Sequence, residues 1–297
     1  MYYIHPLILI KTLPYTFRLF SDIILFMEQS DKERAQTERL ENDYEVARSP
    51  TIQKITNKVC GCGYIGSSWT TQSEAEKLLK YLKLDENDTL LEIGAGAGWP
   101  GLYLAKQSGC HVTLLDIPVT GLEIAKKRAK DDLMSDRVCA LSGNAANLPF
   151  QVPTFSAVSH SDVLCCLIKK QEVLKECRRV IHSSGLMAFT VISIQPDLSD
   201  RERKQAIQVS PDFVETEVDY LTMFENTGWG SISYEDITEE FQRSCQLMML
   251  AEQEQEEGLR ALKGDIEFEE GKVAWELKLK AFSKGLLRRE LFVVKPI

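Results

Sequence analysis

Ten residues, Leu90-Leu91-Glu92-Ile93-Gly94-Ala95-Gly96-Ala97-Gly98-Trp99, constrain the fold more than any other part of the chain. The apolar opening reads as a buried strand, and it runs straight into glycines at alternate positions. Gly94 falls where the backbone must turn sharply. The absence of side chains at Gly96 and Gly98 lets a ligand lie against bare main chain. Pro100 stands where a helix begins, a position at which its missing N–H costs nothing. Leu102, Leu104 and Ala105 extend an apolar pattern too short to assign as helical or extended. Strand, glycine turn and following segment together read as a nucleotide-cradling loop.

Two frames compete for the turn. The dinucleotide fingerprint G-x-G-x-x-G is present as Gly96-Ala97-Gly98-Trp99-Pro100-Gly101, but its first glycine arrives two residues after the strand ends. The frame that fits the strand end is Glu92-x-Gly94-x-Gly96-x-Gly98. Downstream, His111 to Ile117 is β-branched and apolar and closes on Asp116, roughly 20 residues after the first glycine, where doubly wound folds grip ribose hydroxyls. A third strand, Arg137 to Leu141, leads into Ser142-Gly143-Asn144-Ala145-Ala146-Asn147-Leu148-Pro149-Phe150. A fourth, Phe155 to His160, leads into Ser161-Asp162-Val163-Leu164-Cys165-Cys166-Leu167. Glu176 to Val180 reads as a helix, and after a glycine turn Gly185 to Val191 reads as a fifth strand.

These four motifs, in this order, resemble the class I S-adenosylmethionine-dependent methyltransferases, in the branch that acts on quinones, sterols and phosphobases. The resemblance implies an α/β fold: a doubly wound, seven-stranded, mostly parallel sheet of Rossmann-like type with helical lid insertions. It implies S-adenosylmethionine as cofactor, held by Glu92, Gly94, Ala95, Gly96, Gly98, Asp116, Ile117, Asn144, Ala145 and Ser159. Asn144 stands where an aspartate is common in the family, and either side chain can accept a hydrogen bond from an exocyclic amine. The last strand, Leu286 to Pro296, is expected antiparallel beside the fifth.

The organisation around this core is read as an N-terminal extension over 1–40, a lid over 41–75 and the methyltransferase domain over 76–297, with insertions at about 196–226 and 239–285. Met1 to Met27 is apolar but interrupted by Lys11, Pro14, Arg18 and Asp22, so it lacks the uninterrupted span of about 20 residues a membrane helix needs. It is a docking helix, a targeting segment or an upstream extension before a start at Met27. Thr71-x-x-Glu74 is a capping box, and Ala75, Leu78, Leu79 and Leu82 share one helical face behind it. Tyr64 and Trp69 either cap the methionine end of the cofactor, face the acceptor or pack against the sheet; Trp69 is taken as a cofactor contact. Pro211 to Asn226 has helical spacing, Trp229 to Thr238 reads as strand six, and Glu239 to Lys284 as two helices, the first with Phe241, Cys245, Met248, Leu259 and Leu262 as its apolar stripe.

Composition narrows the function. A formal charge of -9 opposes binding to phosphate backbones, so the expected partner is a small-molecule methyl acceptor and not nucleic acid. Eight cysteines show no paired metal-ligand spacing, so no metal is expected and reduced thiols of a cytoplasmic enzyme are the plain reading. Methyl transfer to oxygen or carbon calls for a base near the carboxyl end of strand four, where His160 and Asp162 stand; a pocket wall and a helix cap are their bland alternatives. Many relatives place a histidine four residues after that acid, and this chain has Cys166. Two other readings stay open: an NAD(P)-dependent oxidoreductase, against which the glycine frame counts, and a non-catalytic S-adenosylmethionine-binding partner subunit. Oligomeric state is not legible.

Overall fold

A computed structural model describes residues 29–61 and 68–297, so the apolar opening segment and Tyr64 lie outside the described residues. Among the described residues three helices precede the sheet: α1 (Asp31–Val46), α2 (Pro50–Cys60) and α3 (Gln72–Leu82). Ser30 and Glu33 cap α1 reciprocally, and Thr71 and Glu74 form the expected capping box of α3. Each box satisfies backbone donors that would otherwise be orphaned at a helix start.

The core alternates as expected: β1 (Thr89–Ile93), α4 (Gly101–Ser108), β2 (His111–Asp116), α5 (Val119–Asp131), β3 (Val138–Ser142), β4 (Phe155–Ser161), α6 (Lys170–Val180) and β5 (Ile181–Ile194). After β5 come α7 (Asp200–Gln208), α8 (Tyr220–Thr227) and β6 (Trp229–Asp236). The chain then forms α9 (Thr238–Glu254), α10 (Glu256–Lys263) and α11 (Asp265–Ser283) before β7 (Leu287–Pro296). The seven strands lie in the order β3-β2-β1-β4-β5-β7-β6, parallel except for β7, which runs antiparallel between β5 and β6. An unbroken parallel sheet of order 3-2-1-4-5-6 is the dinucleotide-binding pattern, so the inserted β7 separates this fold from that of the dehydrogenases.

Period-2 alternation splits the core between two faces. Leu90, Val112, Leu114 and Ala157 pack against Leu78 of α3, Leu102 of α4 and Leu122 and Ala125 of α5. Leu91, Ile93, Val158, Met187 and Phe189 pack against Val173, Leu174 and Cys177 of α6 and Met223 and Phe224 of α8. All of these side chains are buried, each contributing about 1.5–3 kcal/mol for a large aliphatic or aromatic group.

Four local expectations are corrected. Gly185 does not make a separate turn: α6 runs directly into β5, whose pairing with β4 slips between Phe155 and Ala157. Of Pro211 to Asn226 only the segment from Tyr220 is helical, because Asp219 accepts the Thr222 N–H and fixes the start there; α8 then packs on α6 and β6 as part of the sandwich. The segment before β7 holds three helices, not two, since the chain breaks at Gln255 and again at Gly264, whose φ is 89°. The boundary at residue 40 falls inside α1, which packs on α5. No described helix is long and apolar enough to cross a membrane.

Glu41 fastens α1. Its two carboxylate oxygens accept the N–H groups of Val119 and Thr120 at 2.7 and 2.9 Å, capping α5, whose preceding Pro118 supplies no side-chain cap. A carboxylate there also meets the positive end of the helix dipole. Glu41→Ala is expected to lower stability by about 1 kcal/mol and to speed amide exchange in α1 relative to β1, read by thermal melting and hydrogen-exchange mass spectrometry.

Candidate functional site

The carboxyl ends of β1 to β5 open onto a cavity of about 470 Å3, a size ordinary for small-molecule sites. Its floor is the glycine turn. Gly94 and Gly96 have φ of 62° and 47°, in the left-handed region that favours glycine. A Cβ on Gly94 would strike Val163, and one on Gly96 would strike the Tyr44 hydroxyl of α1. The turn is braced from two sides: the Gly96 N–H donates to Asp116 Oδ2 at 2.7 Å, and Arg128 of α5 donates to the Ala97 carbonyl at 2.6 Å. Asp116 Oδ1 accepts the Ile117 N–H at 2.8 Å. Burial pushes the Asp116 carboxyl up to about 6, against these two backbone donors, and Glu41 nearby adds to the rise.

Of the residues expected at the cofactor, Trp69, Gly94, Ala95, Gly96, Asp116, Ile117 and Asn144 line the cavity. Asn144 folds into its own loop, its Oδ1 accepting the Ala146 N–H at 2.9 Å. Glu92, Gly98, Ala145 and Ser159 are not part of the lining. Strand alternation turns Glu92 towards Gly101 of α4, where it is buried and accepts a hydrogen bond from the Ser159 hydroxyl; burial raises its carboxyl to about 7. Gly98 faces Leu102 and Ala125, and Ala145 packs in the core on the far face.

The two candidate bases separate. His160 does not reach the cavity: it is 0% exposed, stacked on Phe189 with ring centroids 4.3 Å apart, and neither ring nitrogen has a hydrogen-bond partner. Its position in β4, one residue before Ser161, points it into the α6 side of the sheet. Burial drives its pKa down to about 3. Asp162 does line the cavity, with φ of 56°, and it is committed to an ion pair. Arg289 of β7, itself 0% exposed, donates from Nε to Asp162 Oδ1 at 3.0 Å and from Nη2 to Oδ2 at 2.9 Å. Its Nη1 reaches Glu74 of α3 at 2.7 Å and its Nη2 the Thr190 hydroxyl at 3.3 Å. Burial opposes the guanidinium charge, but Asp162 and Glu74 more than offset it and move its pKa up. Lys278 of α11, with its ammonium 5.1 Å from the Trp69 ring centre and 5.7 Å from that of Trp275, brings a second positive charge within electrostatic reach of Asp162.

Sequence reading missed Arg289, which is remote from every motif and stands between two other charged residues, Arg288 and Glu290, with nothing local to single it out. It also missed the cavity's outer wall. Gln36, Thr37, Leu40 and Tyr44 of α1 line it, and Gln36 is tied to the Cys166 carbonyl at 3.2 Å. Across the mouth Arg39 pairs with Asp212 at 3.2 Å, beside Pro211. The capping box of α1 was the one available signal, since Ser30-x-x-Glu33 marks a helix start within the presumed extension.

Glycine turn, carboxylate at the end of β2 and an antiparallel β7 define the methyltransferase variant of the doubly wound fold. Comparison with known proteins agrees: residues 91–189 match the family described as "Methyltransferase domain". "Methyltransferase GfsG" of Streptomyces halstedii is 26% identical over 42% of this chain and 45% of its own length. A ubiquinone/menaquinone biosynthesis C-methyltransferase of Roseobacter denitrificans is 28% identical over 41% of this chain and 49% of its own. The solved Haemonchus contortus phosphoethanolamine N-methyltransferase 2, in complex with S-adenosyl-L-methionine, superposes with a TM-score of 0.69 at 17% identity, covering 86% of this chain and 57% of that one. Residues 91–189 form a methyltransferase domain, and the fold around them is that of the S-adenosylmethionine-dependent methyltransferases. It spans about half the length of the curated relatives it matches.

Two outcomes follow from the buried charges. Arg289→Met leaves Asp162 and Glu74 buried without their partner and is expected to destabilise by about 3–5 kcal/mol, with Arg289→Lys rescuing little because an ammonium cannot span both carboxylates as a fork; urea unfolding measures both. His160 is neutral when folded and has an ordinary pKa near 6.5 when unfolded. Its contribution is therefore complete above about pH 6.5 and is lost as pH falls towards 3, at up to about 1.4 kcal/mol per unit. Asp116 and Glu92, with raised pKa values, act in the opposite sense, losing stability as pH rises through about 6 and 7. The difference between wild type and His160→Leu isolates the histidine: the variant's advantage should grow from pH 7 to pH 5 in parallel urea titrations.

Proposed function

We propose that this chain transfers the methyl group of S-adenosylmethionine to an oxygen, nitrogen or carbon atom of a small-molecule acceptor by in-line displacement. The observation that carries this is the continuity of one cavity from the Asp116 carboxylate, across the bare Gly94–Ala97 main chain, to the β4 and β5 ends at Ser161, Asp162 and Ile192. Two ligands that must meet end to end need such a space. The lining suits the cofactor: a carboxylate at the end of β2 has the lone pairs to accept from ribose hydroxyls while still holding the turn, and Asn144 and Ala146 line the same end, where adenine would lie.

When bound, S-adenosylmethionine supplies an already electrophilic methyl group, so the protein's task is alignment and exclusion of water. Here α1 roofs the cavity, with Glu41 and Gln36 anchoring it at two points. Arg289 holds Asp162 as a fixed carboxylate at the acceptor end, a wall that orients a bound group by charge and shape. We assign no proton removal to His160, which is buried against Phe189 and is not among the residues lining the cavity. The acceptors named for the relatives, a quinone and a phosphobase, are small molecules of this reach, and the thiols of Cys110, Cys165, Cys166, Cys177 and Cys245, none in a disulfide, suit a reducing, cytoplasmic setting.

Calorimetric titration with S-adenosylmethionine, S-adenosylhomocysteine and NADH tests the reading. The first two should bind and NADH should not. Asp116→Ala should weaken S-adenosylhomocysteine by about 1–3 kcal/mol, the scale of hydrogen bonds to a charged group. Unchanged affinity removes the ribose from Asp116, and tight binding without turnover on any acceptor would favour a non-catalytic subunit.

A further inference from the structure

The cavity divides along the sheet order. β3, β2 and the β1 turn frame one end; β4 and β5 frame the other, across the point at which strand order reverses. The β4–β5 end is walled by Trp69, Val163, Leu167, Val173, Ile192 and Pro211. In this largely apolar setting, beside the Asp162 carboxylate that Arg289 engages, two lining residues carry buried polar atoms with no hydrogen-bond partner: Gln36 Oε1 and Ser161 Oγ. A buried polar atom left unpaired costs about 1–3 kcal/mol, and proteins keep few of them.

The Gln36 amide has a defined sense. Its Nε2 donates to the Cys166 carbonyl at 3.2 Å, so its free atom is the carbonyl oxygen, which can only accept. Ser161 Oγ can donate or accept. Both atoms are covered by their neighbours at the wall, so a ligand meets them by displacing those neighbours. The group that completes this site therefore carries a hydrogen on oxygen or nitrogen. A hydrocarbon double bond or a fully substituted ether would leave Gln36 Oε1 unpaired.

Resting on the methyl-transfer reading, we propose that Gln36 and Ser161 select the acceptor: a hydroxyl or amine on an otherwise apolar body, in preference to an alkene or a carbon nucleophile. Gln36 acts as a positioning group. By accepting the X–H hydrogen it turns a lone pair of the acceptor atom away from itself. The apolar wall takes the body of the molecule.

The test uses the full chain saturated with S-adenosylhomocysteine, whose affinity is measured first, and four matched probes: 1-decanol, decylamine, decyl methyl ether and 1-decene. Calorimetry should show the alcohol or the amine binding at least tenfold tighter than the ether and the alkene. Gln36→Met, similar in length and unable to act as a strong acceptor, should erase that preference and leave S-adenosylhomocysteine affinity unchanged; Ser161→Ala should reduce it. Equal binding of all four probes overturns the proposal, as does a preference that survives both substitutions. Loss of S-adenosylhomocysteine affinity in Gln36→Met would assign the glutamine to the cofactor instead, overturning it too. A chain that binds S-adenosylhomocysteine but none of the probes overturns the acceptor class alone, whereas a chain that fails to bind S-adenosylhomocysteine overturns the methyl-transfer reading beneath it.

Discussion

Arg289 is the point at which separate parts of this chain become one site. A single guanidinium, shut off from solvent, joins a carboxylate at the end of β4, a carboxylate on α3, a hydroxyl on β5 and its own strand β7. Those elements lie far apart in sequence and meet at the carboxyl ends of the central strands. Burying three ionised groups is costly, and the arrangement holds because the fork geometry of arginine gives each carboxylate a short, directed partner. Lys278, whose ammonium rests against the Trp69 and Trp275 rings, adds a positive charge that Asp162 feels. The wall at which the acceptor end begins is thus fixed by electrostatics, in a region where apolar packing alone would allow the strand ends to splay.

The glycine turn depends on the same logic at the other end of the cavity. Three glycines give the backbone its path, and three external contacts hold it there: the Asp116 carboxylate on the Gly96 N–H, Arg128 on the Ala97 carbonyl and Tyr44 packed over Gly96. Gly96 is accordingly a glycine for two reasons, a left-handed backbone and the near approach of an N-terminal helix. Asp116 is shared between holding the turn and facing the cavity, which a carboxylate with two oxygens and about four lone-pair sites can do at once.

What was legible in the sequence tracks how local the cause is. The strand and glycine turn at 90–98, the alternation of β2 and the capping box at Thr71 are written in neighbouring residues, and all three are present in the fold. The placement of the motif residues was only half legible, because a motif names positions and strand alternation decides which of them face the ligand: Gly94 and Gly96 face the cavity, while Glu92 and Ser159 bond to each other behind it. His160 failed for the same reason. Its chemistry suited a base, but period 2 places it on the opposite side of the sheet from Ser159 and stacks it on Phe189. Arg289, Glu41 and Gln36 were not legible at all, since each acts on a partner from 78 to 215 residues away and belongs to no periodic or local pattern.

The helix α1 shows how such distant contacts make a site from a fold. Without it the carboxyl ends of the strands would form an open crevice, and solvent would compete for any group placed there. Glu41 holds its middle to α5 through backbone donors that α5 needs satisfied, and Gln36 holds it one turn earlier to the chain just after Asp162. The first anchor lies beside the Asp116 carboxylate and the second beside the apolar acceptor end. A helix tied at two points walls both ends of the cavity, with Glu41 holding the stretch beside Asp116 and Gln36 the stretch beside the acceptor end. Water exclusion at the acceptor end and a settled glycine turn at the cofactor end are therefore two effects of one helix being in place.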